Sequence, residues 1–272
     1  MPASHDMGWT DGAVVRPMSP VAVLLHAFPL DHRMWAAQEQ ALEAAGWEVL
    51  VPDLPGFGGT ELLDGEPSLA IVADALRQRL LIEGIDRVLL AGLSLGGYVA
   101  MAMLRQQPEI CAGVILCDTK ASADGAQGRA NRQRIAEAAE ADPSSVGRLL
   151  RMAVLPGVLG ATTHASRPQV VWEVASWMDQ VPAATVAWYQ RAMAERPDSH
   201  DVLASIDVPA LVLWGEEDEL SPAPEQASML EALRRGEEAV IPMAGHLSAV
   251  EEPAAVSQAM VRFAEALRPP YA

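Results

Sequence analysis

One serine, Ser94, stands between small residues in the stretch LAGLSLGGY, residues 90–98. An apolar run precedes it, and a segment with the apolar spacing of a helix follows it. Glycine weakens a strand or helix by about 0.5–1 kcal/mol relative to alanine, so the glycines around Ser94 need a reason. A sharp strand-to-helix turn gives one, because the G-x-S-x-G nucleophile elbow holds a serine hydroxyl free above the sheet edge. We predict that Ser94 is a nucleophile and not a helix-capping serine.

A serine hydroxyl is a poor nucleophile until a neighbouring base takes its proton. Of the six histidines in the chain, only His246 follows the last predicted strand, in the short loop MAGHLSAVEEP before a C-terminal helix. This loop belongs to the same sheet edge as the elbow serine, so we predict that His246 is the base and not a capping or surface histidine. The histidines are otherwise scattered without a pair at zinc spacing, and no metal site is predicted.

The base needs a carboxylate that fixes its tautomer and stabilises the imidazolium. The strand pattern ALVLWG is followed by GEEDELSP, which offers Glu216, Glu217, Asp218 and Glu219. A second candidate, Asp118, follows the earlier strand pattern VILC. Both positions belong to the carboxyl edge of the predicted sheet, so these patterns alone leave the identity of the acid open.

The elements that would position these side chains are short apolar runs separated by loops and helical patterns. The runs do not alternate polar and apolar residues, so both faces must be covered, as in a parallel sheet. Alternating strands and helices predict an α/β fold with a mostly parallel, doubly wound sheet and helices on both faces. The six runs are residues 21–25, 47–52, 87–92, 113–118, 210–215 and 237–242.

The alternation of strands and helices stops in the middle of the chain, where four helical patterns follow one another without a strand between them. Strand-like sequence returns only at DVPALVLWG. We therefore predict a helical lid, residues 119–204, inserted between two strands of one sheet. The core would then consist of residues 1–118 and 205–272.

Charge and composition exclude several classes of partner. The chain has 272 residues and a formal net charge of −17, which argues against nucleic acid or an anionic membrane, since both are polyanions. No apolar run approaches the roughly 20 residues that span a bilayer, and the N-terminal stretch MPASHDMGWTDG lacks the apolar core of a signal peptide. The two cysteines, Cys111 and Cys117, imply no disulfide framework. A cytoplasmic protein is the simplest interpretation.

Taken together, these features resemble the α/β-hydrolase superfamily. Its chain order of nucleophile, acid and histidine is matched by Ser94, Asp218 and His246. In that family the acid typically lies in a G-x-x-D-x-x-x-P stretch, which Gly215, Asp218 and Pro222 match. The resemblance therefore favours Asp218 over the carboxylate that follows VILC. It is greatest for lidded carboxylesterases and 3-oxoadipate enol-lactonase-like hydrolases.

The resemblance implies a serine hydrolase that needs no cofactor and cleaves small carboxylic esters or lactones through a Ser-His-Asp triad and an acyl-enzyme. Two alternatives keep the same fold. One is a hydrolase of carbon–carbon bonds or thioesters with the same triad, and the other is a protein that binds a small ligand without catalysis. The fold alone does not separate them, because function depends on the site.

Negative charge on the carbonyl oxygen of an acyl-transfer intermediate needs backbone N–H donors. One predicted donor is Leu95, directly after the nucleophile and at a helix N-terminus. The resemblance implies that the second is Phe28 in the loop HAFPLDHRMW, where relatives usually have His-Gly and this chain has Ala27. It also makes His26 a buried brace of that loop. We expect Asp53, in VPDLPGFGGTE, to anchor an irregular turn.

The predicted lid carries tryptophans, methionines and arginines, some of which should line the cleft above the nucleophile. As candidate substrate-binding residues we name Trp177, Met178, Trp188 and Arg129. Arg129, Arg132 or Arg134 could hold a substrate carboxylate, although their spacing within one helical pattern is more typical of a solvated face. Lys120, the one lysine in the sequence, is predicted to be a surface or loop contact.

Overall fold

A computed structural model describes residues 20–267. The N-terminal stretch MPASHDMGWTDG, which was predicted not to be a signal peptide, lies outside the described residues. So do the last residues of the predicted core. The six predicted strands are all present, with ends that differ by up to two residues from the sequence prediction. They are β1 (Val21–Leu25), β2 (Glu48–Leu50), β3 (Val88–Leu93), β4 (Cys111–Cys117), β5 (Ala210–Gly215) and β6 (Gly236–Ile241).

The strands form one sheet in the order β2-β1-β3-β4-β5-β6, and every neighbouring pair is parallel. Every residue of β1 and β3 is buried, as expected for strands covered on both faces. The mostly parallel sheet predicted from the uninterrupted apolar runs is therefore confirmed.

Helices account for most of the remaining described chain. Two pairs of helices pack against each other outside the stretch between β4 and β5: α1 with α13, and α2 with α3. No helix of residues 20–267 combines the length and the apolar character that crossing a membrane would require. The helices are α1 (Ala36–Ala44), α2 (Leu69–Ile82), α3 (Leu95–Gln106), α4 (Ala126–Ala141), α5 (Val146–Ala153), α6 (Leu155–Val158), α7 (Ala161–Ser166), α8 (Pro168–Met178), α9 (Ala183–Ala194), α10 (His200–Ser205), α11 (Ala223–Ala232), α12 (Ser248–Glu251) and α13 (Pro253–Ala266).

The strand order creates a crevice at one edge of the sheet. From β1 the chain moves outward to β2, and it then returns past β1 to form β3 on the other side. In open parallel sheets such a reversal leaves a crevice beyond the carboxyl ends of the two central strands, which is where ligands bind. The end of β3 carries Ser94, and the end of β1 leads into the loop that begins at His26.

Between the neighbouring strands β4 and β5 the chain runs through α4 to α10, here called the helical segment (residues 126–205). The four helical patterns predicted there correspond to α4, to α5 with α6, to α8 and to α9. The helices α7 and α10 were not predicted, because each has six residues and a helical period needs a window of about 11–18. The division into a core and a lid stays a prediction.

Candidate active site

The backbone turns sharply at Ser94, between β3 and α3. Ser94 has φ 52° and ψ −107°, a left-handed conformation that residues other than glycine rarely adopt. Three hydrogen bonds hold its backbone: its N–H donates to the carbonyl of Cys117 at 2.9 Å, and its carbonyl accepts the hydroxyl of Thr119 at 2.9 Å and the N–H of Tyr98 at 3.1 Å. The Ser94 side chain makes no capping hydrogen bond to α3. Its hydroxyl is therefore free for another partner, and Ser94 is not a helix-capping serine.

The glycines around Ser94 allow β1, β3 and α3 to approach closely. A Cβ on Gly92 would lie 2.3 Å from the backbone of Gly96, and a Cβ on Gly96 would lie 2.1 Å from the carbonyl oxygen of Leu25. Neither neighbour is a flexible side chain that could move away. The small residues of the elbow are thus required by packing, which explains their place at the junction of two regular elements.

A chain of hydrogen bonds joins the three side chains singled out in the sequence. The Nε2 atom of His246 lies 2.7 Å from Oγ of Ser94, and its Nδ1 atom lies 2.8 Å from Oδ2 of Asp218. All three residues are buried, with at most 8% of each exposed. Residues 94, 218 and 246 therefore meet at the carboxyl edge of the sheet, where they follow β3, β5 and β6.

The carboxylate of Asp218 is held in place by the turn after β5. Its Oδ1 atom accepts the N–H of Leu220 at 2.8 Å and that of Ser221 at 3.1 Å, and its Oδ2 atom accepts the Ser221 hydroxyl. Burial raises the pKa of Asp218, but the neighbouring His246 and these hydrogen bonds outweigh it and lower the pKa to about 2. Asp218 is therefore ionised at neutral pH, the state that stabilises an imidazolium.

The other candidate acid, Asp118, lies deeper in the protein and has different partners. It is fully buried with φ 41°, and it accepts the N–H of Gly215 at 2.8 Å and the N–H of Ser248 at 3.2 Å, together with the Ser248 hydroxyl. Burial, and then the charge of Asp218, raise the pKa of Asp118 well above its usual range. Asp118 thus fastens the loops of the two other groups and does not itself bind His246.

A further carboxylate, Glu251, was not found by the sequence analysis. It is buried in α12 and accepts the N–H groups of Gly245 at 2.9 Å and Leu247 at 3.2 Å, the two neighbours of His246. Its second oxygen accepts the N–H of Gly160 in the helical segment at 2.8 Å. Nothing in the sequence separates Glu251 from the adjacent glutamate, because the difference lies in which of them turns inward.

The loop after β1 is braced as the resemblance implied. His26 is fully buried, its Nε2 accepts the N–H of Leu54 at 2.9 Å, and its Nδ1 lies 3.0 Å from the carbonyl of Ala27. Burial lowers the pKa of His26, which keeps the ring neutral. Ala27 does not have positive φ, so its Cβ fits where relatives have glycine. Within residues 20–267, the N–H groups of Phe28 and Leu95 donate to no protein acceptor.

Asp53 anchors the neighbouring loop, as expected from its sequence context. Its carboxylate accepts the backbone N–H of His32 at 2.8 Å and lies 2.9 Å from Nδ1 of the same histidine. Asp31 completes a group whose ligand atoms lie within 4.8 Å of one another, close enough to share a cation. The carboxylate of Asp31 already binds the Arg33 guanidinium, at 2.8 and 2.6 Å. This group therefore serves to shape the loop.

A cavity of about 260 Å³ opens above the hydroxyl of Ser94. Ser94, His246 and Phe28 all line it, so a molecule bound there can contact the Ser94 hydroxyl, the His246 ring and the loop after β1 together. Leu220 and residues of the helical segment form much of the remaining wall. The polar lining residues besides Ser94 and His246 are Tyr98, Lys120, Asp124, Asn131, Arg132 and Gln190.

None of the four named substrate-binding candidates lines this cavity. Trp177 borders a different cavity and lies under the Arg33 guanidinium, 5.7 Å from its ring centre. Met178 is fully buried, and Trp188 packs against Tyr189 with ring centres 4.9 Å apart. Arg129 donates to the carbonyl of residue 124. Helical spacing tells which residues share a face but not which face is turned toward the sheet, so these four were misplaced.

Two cations considered in the sequence do line the cavity. Arg132 does so from α4, whereas Arg134 is exposed and contacts Asn131. Lys120, predicted as a surface or loop contact, has only 21% of its side chain exposed and also faces the cavity. Its place three residues after the end of β4 was the available signal, because that edge of the sheet carries the candidate site.

Comparison with known proteins identifies the family of the chain. The sequence profile described as "Alpha/beta hydrolase family" matches residues 22–259. The chain belongs to the α/β-hydrolase family. A thermophilic esterase from Thermogutta terrifontis, solved with malate bound, is 35% identical to this hydrolase, covers 92% of this chain and 91% of its own, and has a TM-score of 0.86.

Two further similar proteins carry other activities in their names. The enol-lactonase from Burkholderia xenovorans LB400 shares the fold of this hydrolase, with a TM-score of 0.82 and 24% identity over 92% of each chain. A pimeloyl-[acyl-carrier protein] methyl ester esterase from Aromatoleum aromaticum is 37% identical over 100 residues, which is 37% of each protein. The resemblance to esterases and enol-lactonases stated from the sequence is thereby confirmed at the level of the family.

Proposed function

We propose that this protein is a serine hydrolase that cleaves small carboxylic esters or lactones, with Ser94, His246 and Asp218 as its catalytic triad. The observation that carries the proposal is the continuous hydrogen-bonded chain from the Ser94 hydroxyl through both nitrogens of His246 to Asp218. Such an arrangement activates a hydroxyl for attack on a carbonyl carbon. The esterase that is 35% identical supports the same reaction class.

In the proposed mechanism, Oγ of Ser94 attacks the ester carbonyl while Nε2 of His246 takes its proton. Asp218 stays ionised and stabilises the imidazolium. The oxyanion of the tetrahedral intermediate accepts the N–H groups of Leu95 and Phe28, which have no acceptor among residues 20–267. The intermediate collapses when His246 protonates the leaving alcohol, and the acyl group remains on Ser94.

Deacylation repeats these steps with water as the nucleophile. His246 removes a proton from the water, the resulting hydroxide attacks the acyl carbonyl, and Ser94 leaves with the returned proton. For a lactone the alcohol stays attached to the acyl group, so a single hydroxy acid is released. These steps draw only on side chains, backbone N–H groups and water. The cytoplasmic location inferred from the sequence stays a prediction.

The test is Ser94→Ala, with Ser144→Ala as a matched control because Ser144 is exposed and its hydroxyl donates to Asp142, also an exposed residue. We expect kcat for 4-nitrophenyl butyrate to fall by about 10⁶-fold in the first variant, as for loss of a serine nucleophile elsewhere, and to be unchanged in the second. A fluorophosphonate probe should label the wild type at Ser94 only. Undiminished hydrolysis by the Ser94→Ala variant would refute the assignment.

The same experiment addresses the alternative functions. A folded wild-type protein that the fluorophosphonate does not label, and that hydrolyses none of a panel of esters, would favour a ligand-binding member of the fold. A labelled protein that cleaves thioesters or β-diketones faster than oxygen esters would keep the triad and change the bond. The panel therefore separates bond type from the role of Ser94.

A further inference from the structure

The cavity above Ser94 has more positive than negative side chains in its lining, although the protein as a whole is strongly acidic. The chain carries a formal net charge of −17. Among the described residues that line this cavity, however, the permanent cations Lys120 and Arg132 face a single acid outside the triad, Asp124. The positive lining is placed beside the proposed nucleophile, where it can act on substrate.

Asp124 does not neutralise this lining, because other groups occupy both of its oxygens. Arg132 donates through Nε to Oδ2, and the buried Arg196 donates through Nη2 to Oδ1 at 2.9 Å. Burial raises the pKa of Asp124, but Arg196 and Arg132 outweigh it and lower the pKa to about 2, so Asp124 is ionised and engaged. One negative charge is thus shared by three cations when Lys120 is included.

Of the three cations around Asp124, Lys120 is the one that donates no hydrogen bond to any of residues 20–267. Its Nζ lies 3.8 Å from Oδ1 of Asp124, beyond hydrogen-bonding distance. An ammonium group has three donors, and a partly buried one gains from an acceptor that water cannot fully supply. Lys120 directly follows Thr119, whose hydroxyl donates to the carbonyl of Ser94, so its backbone lies beside the nucleophile.

Neither of two nearby glutamates accepts a hydrogen bond from Lys120 among residues 20–267. Glu225 accepts the hydroxyl of Ser122 at 2.7 Å, whereas Glu195 and Lys120 both line a neighbouring cavity of about 180 Å³ behind Tyr98 without a hydrogen bond between them. The Tyr98 ring is covered by the Arg196 guanidinium at 4.0 Å, which keeps that cation out of the Ser94 cavity. Lys120 thus borders both cavities, and a ligand bound above Ser94 can supply the acceptor that the described residues do not.

We infer that the cavity above Ser94 selects esters or lactones that carry a carboxylate, and that Lys120 is the residue that binds it, with Arg132 as the neighbouring cation. The inference rests on the proposed function, since it names the substrate class of the same site. A single ammonium that pairs with Asp124 only at 3.8 Å, without a hydrogen bond, suits a monoanion, and a carboxylate oxygen would give it a charge-assisted hydrogen bond. Lys120 is here a specificity residue and takes no part in bond cleavage.

The experiment compares matched esters on the wild type, Lys120→Met, Lys120→Arg and, as control, Arg134→Gln, whose arginine is exposed and does not line the cavity. Monomethyl glutarate and methyl pentanoate test a carboxylate on the acyl half. The esters 4-acetoxybenzoate and 4-methylphenyl acetate test one on the alcohol half.

Loss of a hydrogen bond between charged groups corresponds to a fall of about 10- to 100-fold in kcat/KM. We expect that fall for the carboxylated member of at least one pair in Lys120→Met, with less than about threefold change for its neutral partner. Lys120→Arg should retain the preference, and Arg134→Gln should change neither ester. Equal losses for both members of both pairs in Lys120→Met would overturn the inference and leave the proposed function intact.

A binding measurement keeps the inference testable even if no ester is hydrolysed. Calorimetric titration of glutarate into the Ser94→Ala variant should show binding, and this binding should be lost when Lys120→Met is added. Added salt should weaken the binding, because it screens the attraction between the ammonium and the carboxylate. Absence of this difference would refute a role for Lys120 in binding anions. Failure of hydrolysis with retained glutarate binding would instead refute the proposed function.

Discussion

The loops after β4 and after β5 begin at the same edge of the sheet, and each carries an aspartate close to its start. Asp118 follows β4 directly, and Asp218 comes three residues after the end of β5. The first binds the backbone at Gly215 and Ser248, and the second binds His246. Two like residues in nearly equivalent positions therefore have different partners.

The difference arises from the backbone of each loop. At Asp118 the chain has φ 41°, and the carboxylate turns into the protein toward the start of the next loop. After β5 a turn closed by the N–H of Asp218 on the carbonyl of Gly215, at 2.9 Å, carries the second aspartate out to the imidazole. Both aspartates lie at the sheet edge, and the conformation of each loop decides which carboxylate contacts His246.

The pKa values of the two aspartates are also shifted in opposite directions. Asp218 has the histidine and several donors beside it, which lower its pKa to about 2 despite burial. For Asp118, burial together with the charge of Asp218 outweighs the hydrogen bonds from Ser248 and Gly215 and raises its pKa. We interpret Asp218 as a group whose charge serves the reaction, and Asp118 as a group that holds the two loops in register.

The sharpest way to break this comparison is Asp218→Asn. The amide cannot stabilise an imidazolium, and it favours the wrong tautomer of His246, so kcat for 4-nitrophenyl butyrate should fall by about 10⁴-fold. The matched control is Glu219→Gln, an exposed residue of the same loop, which should leave kcat unchanged. Retention of more than a tenth of the activity by Asp218→Asn would return Asp118 to consideration as the acid.

Asp118→Ala should affect the stability of the fold more than the rate of hydrolysis. It removes the acceptor of two buried backbone N–H groups, and each unsatisfied group costs about 1–3 kcal/mol. We expect the free energy of unfolding in urea to fall by about 2–5 kcal/mol. In the folded fraction kcat should fall far less than in Asp218→Asn. A rate loss equal to that of Asp218→Asn with unchanged stability would reverse the two roles.

The fold was predictable because its determinants are local. Strands buried on both faces are uninterrupted apolar runs, and β1, β3 and β5 are of this kind. The contact between Ser94 and His246 was predictable for a related reason, since each follows the carboxyl end of a strand in a short loop and parallel strands bring those ends together. The choice between Asp118 and Asp218 needed the resemblance, because it depends on loop dihedral angles that residue types do not specify.

The walls of the cavity were the least predictable part of the site. Trp177 and Arg129 belong to amphipathic helices, and their spacing is compatible with several rotations of each helix on the sheet. Lys120 and Leu220 lie in loops after β4 and β5, where the position in the sequence was informative but the direction of the side chain was not. The aromatic residues of the helical segment mainly pack against other side chains of the protein, as Trp188 does against Tyr189.

The pH dependence of stability gives the finest distinction between the two aspartates. The folded pKa of Asp218 is about 2, below its ordinary value of 3.8, so the unfolded chain binds the proton more tightly. Its contribution of about 2 kcal/mol is therefore present above about pH 4 and is lost as the pH falls toward 2. For Asp118 the folded pKa is raised, so the folded chain binds the proton more tightly, and stability is lost as the pH rises through that range.

Replacing each aspartate by asparagine should therefore alter the stability profile in opposite directions. Relative to the wild type, the deficit of Asp218→Asn should shrink as the pH is lowered from about 6 to about 2.5, whereas the deficit of Asp118→Asn should grow. Urea unfolding at a series of pH values measures both, and titration of the other carboxylates cancels because each variant is compared with the wild type at the same pH. Deficits that change in the same direction would mean that the two carboxylates share one electrostatic role, and that the loop geometry distinguishes them less than their contacts indicate.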